Sequence, residues 1–295
     1  MTGPRRARFG ASALAVLLAV LGAPPSGVHA QPAPLAVETV AIPLTEKRPL
    51  GGARELRLEG FLYRPPAVSG PLPVLVFNHG STGAGRTAPT SSAQYRYPEV
   101  ARFFVERGWA VLIPMRRGRG ASGGEYLERY DCDRAILSEG VERGLADVDA
   151  ALAYVSAQPW ADPSRLLLGG MSRGGLLAVV HPSRRSAAAR GVVNFAGGWT
   201  VERCDARIRF NADTFAEAGR TARLPMLWLY SENDRNYGPV SVRAYHDGFV
   251  RSGGTAALSM VPPIGQDGHL GLPGEVQVWQ TAVHDFLARL GLGGP

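Results

Sequence analysis

From Leu56 the chain reads "LRLEGFLYRP", with apolar residues recurring two apart. That period predicts an early antiparallel strand with one covered face. Further on the pattern changes. "LPVLVFNHG" is apolar without interruption, as a strand covered on both faces would be. "YPEVARFFVERG" has helical spacing and a glycine stop, and "WAVLIPMRRGRG" is a second buried strand running into a Gly/Arg loop. "GLADVDAALAYVSAQ" is helical up to "PWADP", and "RLLLGG" is a strand ending in a turn at Ser172, with a helix following to about Val180. "GVVNFAGG" and "LPMLWLYSEND" are strands, with a helix between them near Phe210–Arg220. "SVRAYHDGFVRSG" is a helix, "ALSMVPPIG" a strand, and "GEVQVWQTAVHDFLARLGL" a closing amphipathic helix with an apolar stripe of Val276, Trp279, Val283 and Leu287. Strands alternating with helices predict an α/β protein with a mostly parallel sheet and helices on both faces. The Pro-rich segment "QPAPLAVETVAIPL" is assigned no element.

The chain has 295 residues, and its first thirty read as a leader. Arg5, Arg6 and Arg8 precede an apolar run from Ala11 to Leu21, and Val28-His29-Ala30 supplies a small-residue end. This is the pattern of a secretory signal peptide cleaved after Ala30, with the Sec or Tat route left open. The apolar run is short for a membrane anchor. Removing 30 of the 295 residues leaves 265, expected to form one domain (31–295) in a secreted or periplasmic protein. The net charge of +7 falls to about +4 without the leader, and no run of basic residues suggests a nucleic-acid partner. Cys132 and Cys204 are the two cysteines. An even count in an exported chain favours one disulfide over two buried thiols.

Chemistry enters at Ser172. Gly170 and Gly174 flank it in "GGMSRGG", giving G-x-S-x-G between a strand and a helix. In that context the serine is a nucleophile lifted above the sheet; the ordinary alternative is a helix N-cap. Its partners should lie at the carboxyl ends of other strands. In "FNHGSTG" a tight turn can aim a backbone N–H at a developing oxyanion, so Ser81 and Arg173 are the expected oxyanion donors, each typically worth about 3 kcal/mol of barrier. His79 is expected to orient that loop. In "LWLYSEND" the acid is Asp234, with Glu232 as the alternative and Glu202 and Asp205 as outsiders. Among the histidines, His29 leaves with the leader and His181 lies about 13 Å along the helix from Ser172. His246 and His284 sit within helices. His269, in the loop "GQDGHLG" after the last strand, is the expected base. The order Ser172, Asp234, His269 matches the Ser…Asp…His order of a nucleophile-elbow hydrolase.

"NHGSTG", "RRGRGASGGEY", "LGGMSRGG", "LWLYSEND" and "GQDGH", in this order and spacing, make the chain similar to the α/β-hydrolase superfamily and, within it, to dienelactone-hydrolase-like secreted hydrolases. The resemblance covers nearly all of residues 35–290 and implies the α/β-hydrolase fold. Dienelactone hydrolases proper use a cysteine nucleophile. Ser172 in that position favours a general serine esterase instead. The resemblance also implies that the loops holding Cys132 and Cys204 lie near the edge where Ser172 emerges, so that a disulfide would strap the rim of the pocket. Such a loop of about 70 residues would contribute up to roughly 4 kcal/mol. Arg116, Arg117 and Arg119 fall at that edge too. They are expected to brace loops by bonding carbonyls, with recognition of an acidic acyl group as the alternative.

The sequence therefore predicts an ester hydrolase with a small-molecule substrate, no cofactor, no metal and no membrane association after leader cleavage. It carries no H-E-x-x-H, no paired-cysteine zinc spacing and no nucleotide loop. A peptidase or amidase on the same scaffold is the alternative, and a non-catalytic binding module the more distant one. Substrate choice depends on the loops near Gly83–Tyr97, Gly123–Cys132 and Trp199–Phe215.

Overall fold

A computed structural model describes residues 1, 3, 35–47, 51–66, 70–81, 95–126, 128, 131–185, 188–199 and 206–293. The chain divides into two units, Met1–Pro34 and Leu35–Pro295. Nearly all of the expected leader, along with Glu202, Cys204, Asp205 and most of the Gly83–Tyr97 loop, lies outside the described residues.

The second unit is built on an eight-stranded sheet. In chain order the elements are β1 (Glu38–Lys47), β2 (Ala53–Tyr63), β3 (Leu72–Asn78), α1 (Pro98–Val105), β4 (Ala110–Pro114), α2 (Arg134–Ser156), β5 (Ala161–Met171), α3 (Arg173–Arg184), β6 (Gly191–Phe195), α4 (Ala206–Thr221), β7 (Met226–Ser231), α5 (Pro239–Arg251), β8 (Ala256–Val261), α6 (Gly268–Gly271) and α7 (Val276–Arg289). The strand order is β1-β2-β4-β3-β5-β6-β7-β8. β1 pairs antiparallel with β2, and β2 antiparallel with β4; β4 through β8 are parallel.

That order fixes where a site can form. From β3 the chain steps one way to β4, then returns past β3 to lay β5 on its other side. Crossovers between parallel strands are right-handed, so reversing direction moves the connecting helices to the opposite face. α1 accordingly packs on α7, while α2, α3, α4 and α5 form a contiguous row. The reversal leaves a crevice beyond the carboxyl ends of β3 and β5, where ligands bind in open α/β sheets. His79–Ser81 leave β3 there, and Ser172 leaves β5.

Packing follows the pleat. At the end of β6, Phe195 meets Trp279 of α7 edge-on at 5.2 Å, while its neighbour Asn194 faces α3, where its Oδ1 lies against Gly175. On β7, Trp228 stacks among Phe215 of α4 and Phe249 of α5. The α7 stripe is buried at Trp279, Val283 and Leu287, joined by Phe286, with Val276 only partly covered. Burying each such side chain stabilises the fold by about 1.5–3 kcal/mol.

Three elements differ from expectation. β1 begins in the Pro-rich segment that is assigned no element, and it contains Pro43. It forms because it is an edge strand, where a residue without an N–H is tolerated. α2 begins ten residues before the helical "GLADVDAALAYVSAQ", at an N-cap made by Asp133 accepting from the Ala135 amide at 2.7 Å. Gly140 and Gly144 weaken its signal in the sequence. A Cβ on Gly144 would come within 2.8 Å of Leu177 of α3, so this glycine serves close helix–helix approach. His269, finally, lies on the helical turn α6 and not in a free loop.

Candidate active site

Ser172 sits at the β5–α3 turn with φ 53° and ψ −118°, a conformation L-residues avoid and one that costs about 1–3 kcal/mol. Backbone bonds hold it there. Its amide donates to Phe195 O at 2.9 Å, and its carbonyl accepts from Leu176 N at 3.0 Å and Gly198 N at 3.1 Å. The turn needs its glycines. A Cβ on Gly174 would lie 2.0 Å from Asn78 O, and one on Gly170 would lie 2.3 Å from Gly174 O. Ser172 stands in the N-cap position of α3, yet its side chain makes no capping bond. The hydroxyl faces His269 instead, with Oγ 3.1 Å from Nε2.

His269 is fixed from both sides. Its Nδ1–H donates to Asp234 Oδ2 at 2.9 Å, which leaves Nε2 as the acceptor facing Ser172. The other Asp234 oxygen accepts the amides of Asn236 and Tyr237, both at 2.8 Å. Three donors thus converge on a carboxylate with no exposed side-chain surface. Asp267 caps the α6 turn, accepting His269 N at 2.9 Å and Arg235 N at 3.2 Å, and so ties the turn of His269 to the loop of Asp234. Asn233 makes a second tie: its Oδ1 accepts Ile264 N and its amide donates to Ile264 O and Gly265 O. Gly268 fits between these loops only because it lacks a Cβ, which would fall 2.2 Å from Ser231 Oγ. The ring of Tyr237 meets His269 edge-on at 5.3 Å.

The β3 loop closes the other side. Gly80 approaches Ser172 so closely that a Cβ there would sit 3.4 Å from Ser172 Cβ. The Gly80 amide donates to Tyr97 Oη at 3.0 Å, so the next amide along this loop is that of Ser81. His79 is wholly buried. Its Nδ1–H donates to Gly80 O at 2.7 Å, and its Nε2 accepts the Arg116 amide at 3.1 Å. Burial, and then the charges of Arg116 and Arg119, push the His79 imidazole well below the usual histidine range. It is a neutral loop brace and does not face Ser172.

Arg116, Arg117 and Arg119 are buried in ion pairs. Arg116 donates to His79 O at 2.7 Å, to Gly80 O at 3.3 Å and to both oxygens of Glu128. Arg119 pairs with Glu128 at 2.7 Å. Arg117 binds Asp147 at 2.7 Å, Glu46 at 2.8 Å and Arg143 O at 2.7 Å. These contacts brace loops and leave no guanidinium exposed to an acidic substrate.

Ser172, Asp234 and His269 are therefore brought together, with Arg173 next to Ser172 and Ser81 next to Gly80. Glu232 is exposed. His181, fully buried, binds Asp149 at 2.7 Å; His246 Nε2–H donates to Ala256 O at 3.0 Å; His284 is exposed. Cys132 is not a free thiol, while its expected partner Cys204 lies outside the described residues. Sequence reasoning missed Glu128, Tyr97, Asn233 and Asp267. Only Asp267 had a local signal, as an N-cap two residues before the histidine. Among the described residues, no group of three or more metal-ligating side chains gathers, and no helix is long and apolar enough to cross a membrane.

A family model for the dienelactone hydrolase family matches residues 58–261. A quorum-quenching protein, AidA, of Acinetobacter baumannii is 28% identical over 150 residues, which is half of this chain and 43% of that protein's length. The esterase Pf2001 of Pyrococcus furiosus superposes with a TM-score of 0.60 at 15% identity, covering 86% of this chain and 90% of its own. An acylaminoacyl peptidase of Pyrococcus horikoshii superposes with a TM-score of 0.59 at 13% identity, covering 88% of this chain but 42% of its own.

Proposed function

Because this chain belongs to the dienelactone hydrolase family, with its α/β-hydrolase fold, we propose that it is a serine hydrolase cleaving small carboxylic esters through an acyl-enzyme. The observation that carries this reading is the continuous hydrogen-bonded line from Asp234 through His269 to Ser172 Oγ, at 2.9 and 3.1 Å, in a crevice at the sheet's reversal point.

In this reading Ser172 Oγ attacks the ester carbonyl carbon while His269 Nε2 takes its proton. Asp234 holds the tautomer and stabilises the imidazolium. The tetrahedral oxyanion accepts from the Ser81 and Arg173 amides. Collapse expels the alcohol, which leaves with the proton from His269. Water then attacks the acyl carbon, giving its proton to His269, and the carboxylic acid departs as Ser172 recovers its proton. We also propose that residues 1–30 direct export and that Cys132 pairs with Cys204 in the exported protein.

The test is turnover of matched short-acyl p-nitrophenyl ester and p-nitroanilide substrates, with Ser172→Ala as the blank. Ester turnover far above anilide turnover, absent from the blank, supports the esterase. Comparable anilide turnover moves the reading to an amidase, the alternative favoured by the likeness to a peptidase. Equal rates in the blank overturn Ser172 as nucleophile.

A further inference from the structure

Glu128 has no place in the proton path, yet its carboxylate is bound by three buried arginines. Arg116 holds both oxygens, Arg119 approaches at 2.7 Å, and Arg173 lies 3.6 Å away and donates to the Glu128 backbone oxygen at 2.7 Å. These guanidiniums outweigh the effect of burial and hold the Glu128 carboxyl well below the usual range, so it is anionic. Burying a carboxylate is costly unless it is paired, and such a network is no better for stability than an apolar core of the same volume. Its geometry indicates a different use.

Two of the three arginines lead directly to the expected oxyanion donors. Arg116 and His79 both donate to Gly80 O, at 3.3 and 2.7 Å. In a trans peptide the C=O and the following N–H point in opposite directions. Two donors fixing Gly80 O therefore fix the heading of the Ser81 N–H. No cis peptide interrupts this relation among the described residues. The other lead runs to Arg173, whose backbone follows Ser172 and whose side chain is clamped between Glu128 and the ring of Trp199, 4.8 Å from its centroid. The two donors come from strands β3 and β5 and share no covalent neighbour. Glu128 joins them, its carboxylate hydrogen-bonding Arg116 and its backbone carbonyl accepting from Arg173, with the carboxylate 3.6 Å from that guanidinium.

We infer that Glu128 is a positioning residue that preorganises the oxyanion hole, holding the Ser81 amide through Arg116 and steadying, through the Arg173 side chain, the residue that carries the second donor. The inference rests on the serine-hydrolase reading above. Oxyanion donors act because they need no reorientation as charge develops. Loosening the clamp should weaken binding of the tetrahedral state and leave ground-state ester binding unchanged.

The test compares the wild-type chain with Glu128→Gln, Glu128→Asp and Arg116→Lys. Three quantities are read: kcat and KM for p-nitrophenyl acetate, inhibition by an alkyl trifluoromethyl ketone, and the melting temperature. The ketone forms a hemiketal on Ser172 whose oxyanion occupies the hole. Glu128→Gln is expected to lower kcat by about 100-fold, the lower end of the cost of a lost oxyanion donor, with KM nearly unchanged. The ketone inhibition constant should rise by the same factor, and Glu128→Asp should recover part of both. Arg116→Lys keeps the charge but loses the fork, and should reproduce the effect if Glu128→Gln fails to fold. Phe249→Leu, in the α4–α5–β7 packing, supplies a loss of melting temperature made elsewhere and should leave kcat intact. Unchanged kcat and ketone affinity in both Glu128→Gln and Arg116→Lys would overturn the inference, as would losses no larger than those of Phe249→Leu at equal melting temperature. Absence of Ser172-dependent turnover and ketone binding in the wild type would sink the hydrolase reading, and this inference with it.

Discussion

Gly174→Ala isolates what the turn at Ser172 demands of its surroundings. The added methyl would lie 2.0 Å from Asn78 O, 2.4 Å from Asn78 C and 2.6 Å from His79 O. All three are backbone atoms at the end of β3, a strand paired on both sides, so no side chain can rotate away. To reach a tolerable contact, α3 and the end of β3 must part by about 1 Å. Overpacking of this kind costs about 1–3 kcal/mol, and alanine's better helix propensity returns about 1. A net loss of up to about 2 kcal/mol is expected. The catalytic effect should be larger than the loss of stability implies, because the parting separates Ser172 from the loop carrying Ser81. A 1 Å misplacement of reacting groups can cost about 100-fold in rate. Gly248→Ala is the matched control. It lies within α5, where the new methyl would meet Ala216 Cβ at an ordinary 3.7 Å, so the same substitution should stabilise by about 0.5–1 kcal/mol. Urea unfolding of both variants, with kcat measured on p-nitrophenyl acetate, decides the matter. If Gly174→Ala matched the wild type in both stability and rate, the steric account of this turn would be wrong.

Asp234→Asn should lower kcat by about 10⁴-fold through the wrong histidine tautomer, while Glu232→Gln, at an exposed position, should leave it within twofold; steady-state kinetics of the pair assigns the acid. Acid should destabilise the fold before ordinary carboxylates titrate. His79 is held well below 6.5 when folded, so beneath that pH the unfolded chain takes up a proton the native one refuses. Its stabilisation is complete above pH 6.5 and falls by about 1.4 kcal/mol per unit as pH drops, until the buried Asp147 carboxyl, pushed up to about 6 chiefly by burial, takes up a proton in the native chain and offsets the fall; Glu128 adds to the slope again below about pH 4.5. Urea unfolding of an Asp147→Asn variant across this range measures the His79 slope without that offset, and a flat profile there from pH 6.5 to 5 would contradict the buried neutral imidazole.

The periodic elements were legible in the sequence because they obey local rules. Continuous apolar runs gave β3, β4, β5 and β7, and the break at Ser172 gave the turn. The residues for the Ser172, His269 and Asp234 line could be named because each follows a strand, and strand ends converge in an open sheet. What was not legible depends on contacts between distant segments. The stretch from Gly144 reads as the start of a helix until α2 is found to begin ten residues earlier, capped by Asp133, with Leu177 packed against that glycine, and the Pro-rich segment reads as no element until β1 is found at the edge. Glu128 lies 44 positions before Ser172, and nothing in its neighbours announces that three arginines will close around it. Asn233 likewise stood beside the chosen acid without a pattern to mark it.

Pro43 has one more effect. An open sheet ends in two rows of unpaired amides and carbonyls, which a second chain can adopt as a template for its own strand. β1 is ten residues long, enough to seed such an association. A proline at its middle removes one donor from the row, and β8 at the opposite edge runs directly into Pro262 and Pro263. Each border of the sheet thus carries a residue that cannot extend a hydrogen-bonded ladder. A parallel sheet whose neighbouring strands β3 and β5 are separated by three intervening elements assembles slowly, with its borders exposed meanwhile. The prolines make those borders poor sites for aggregation while the sheet assembles.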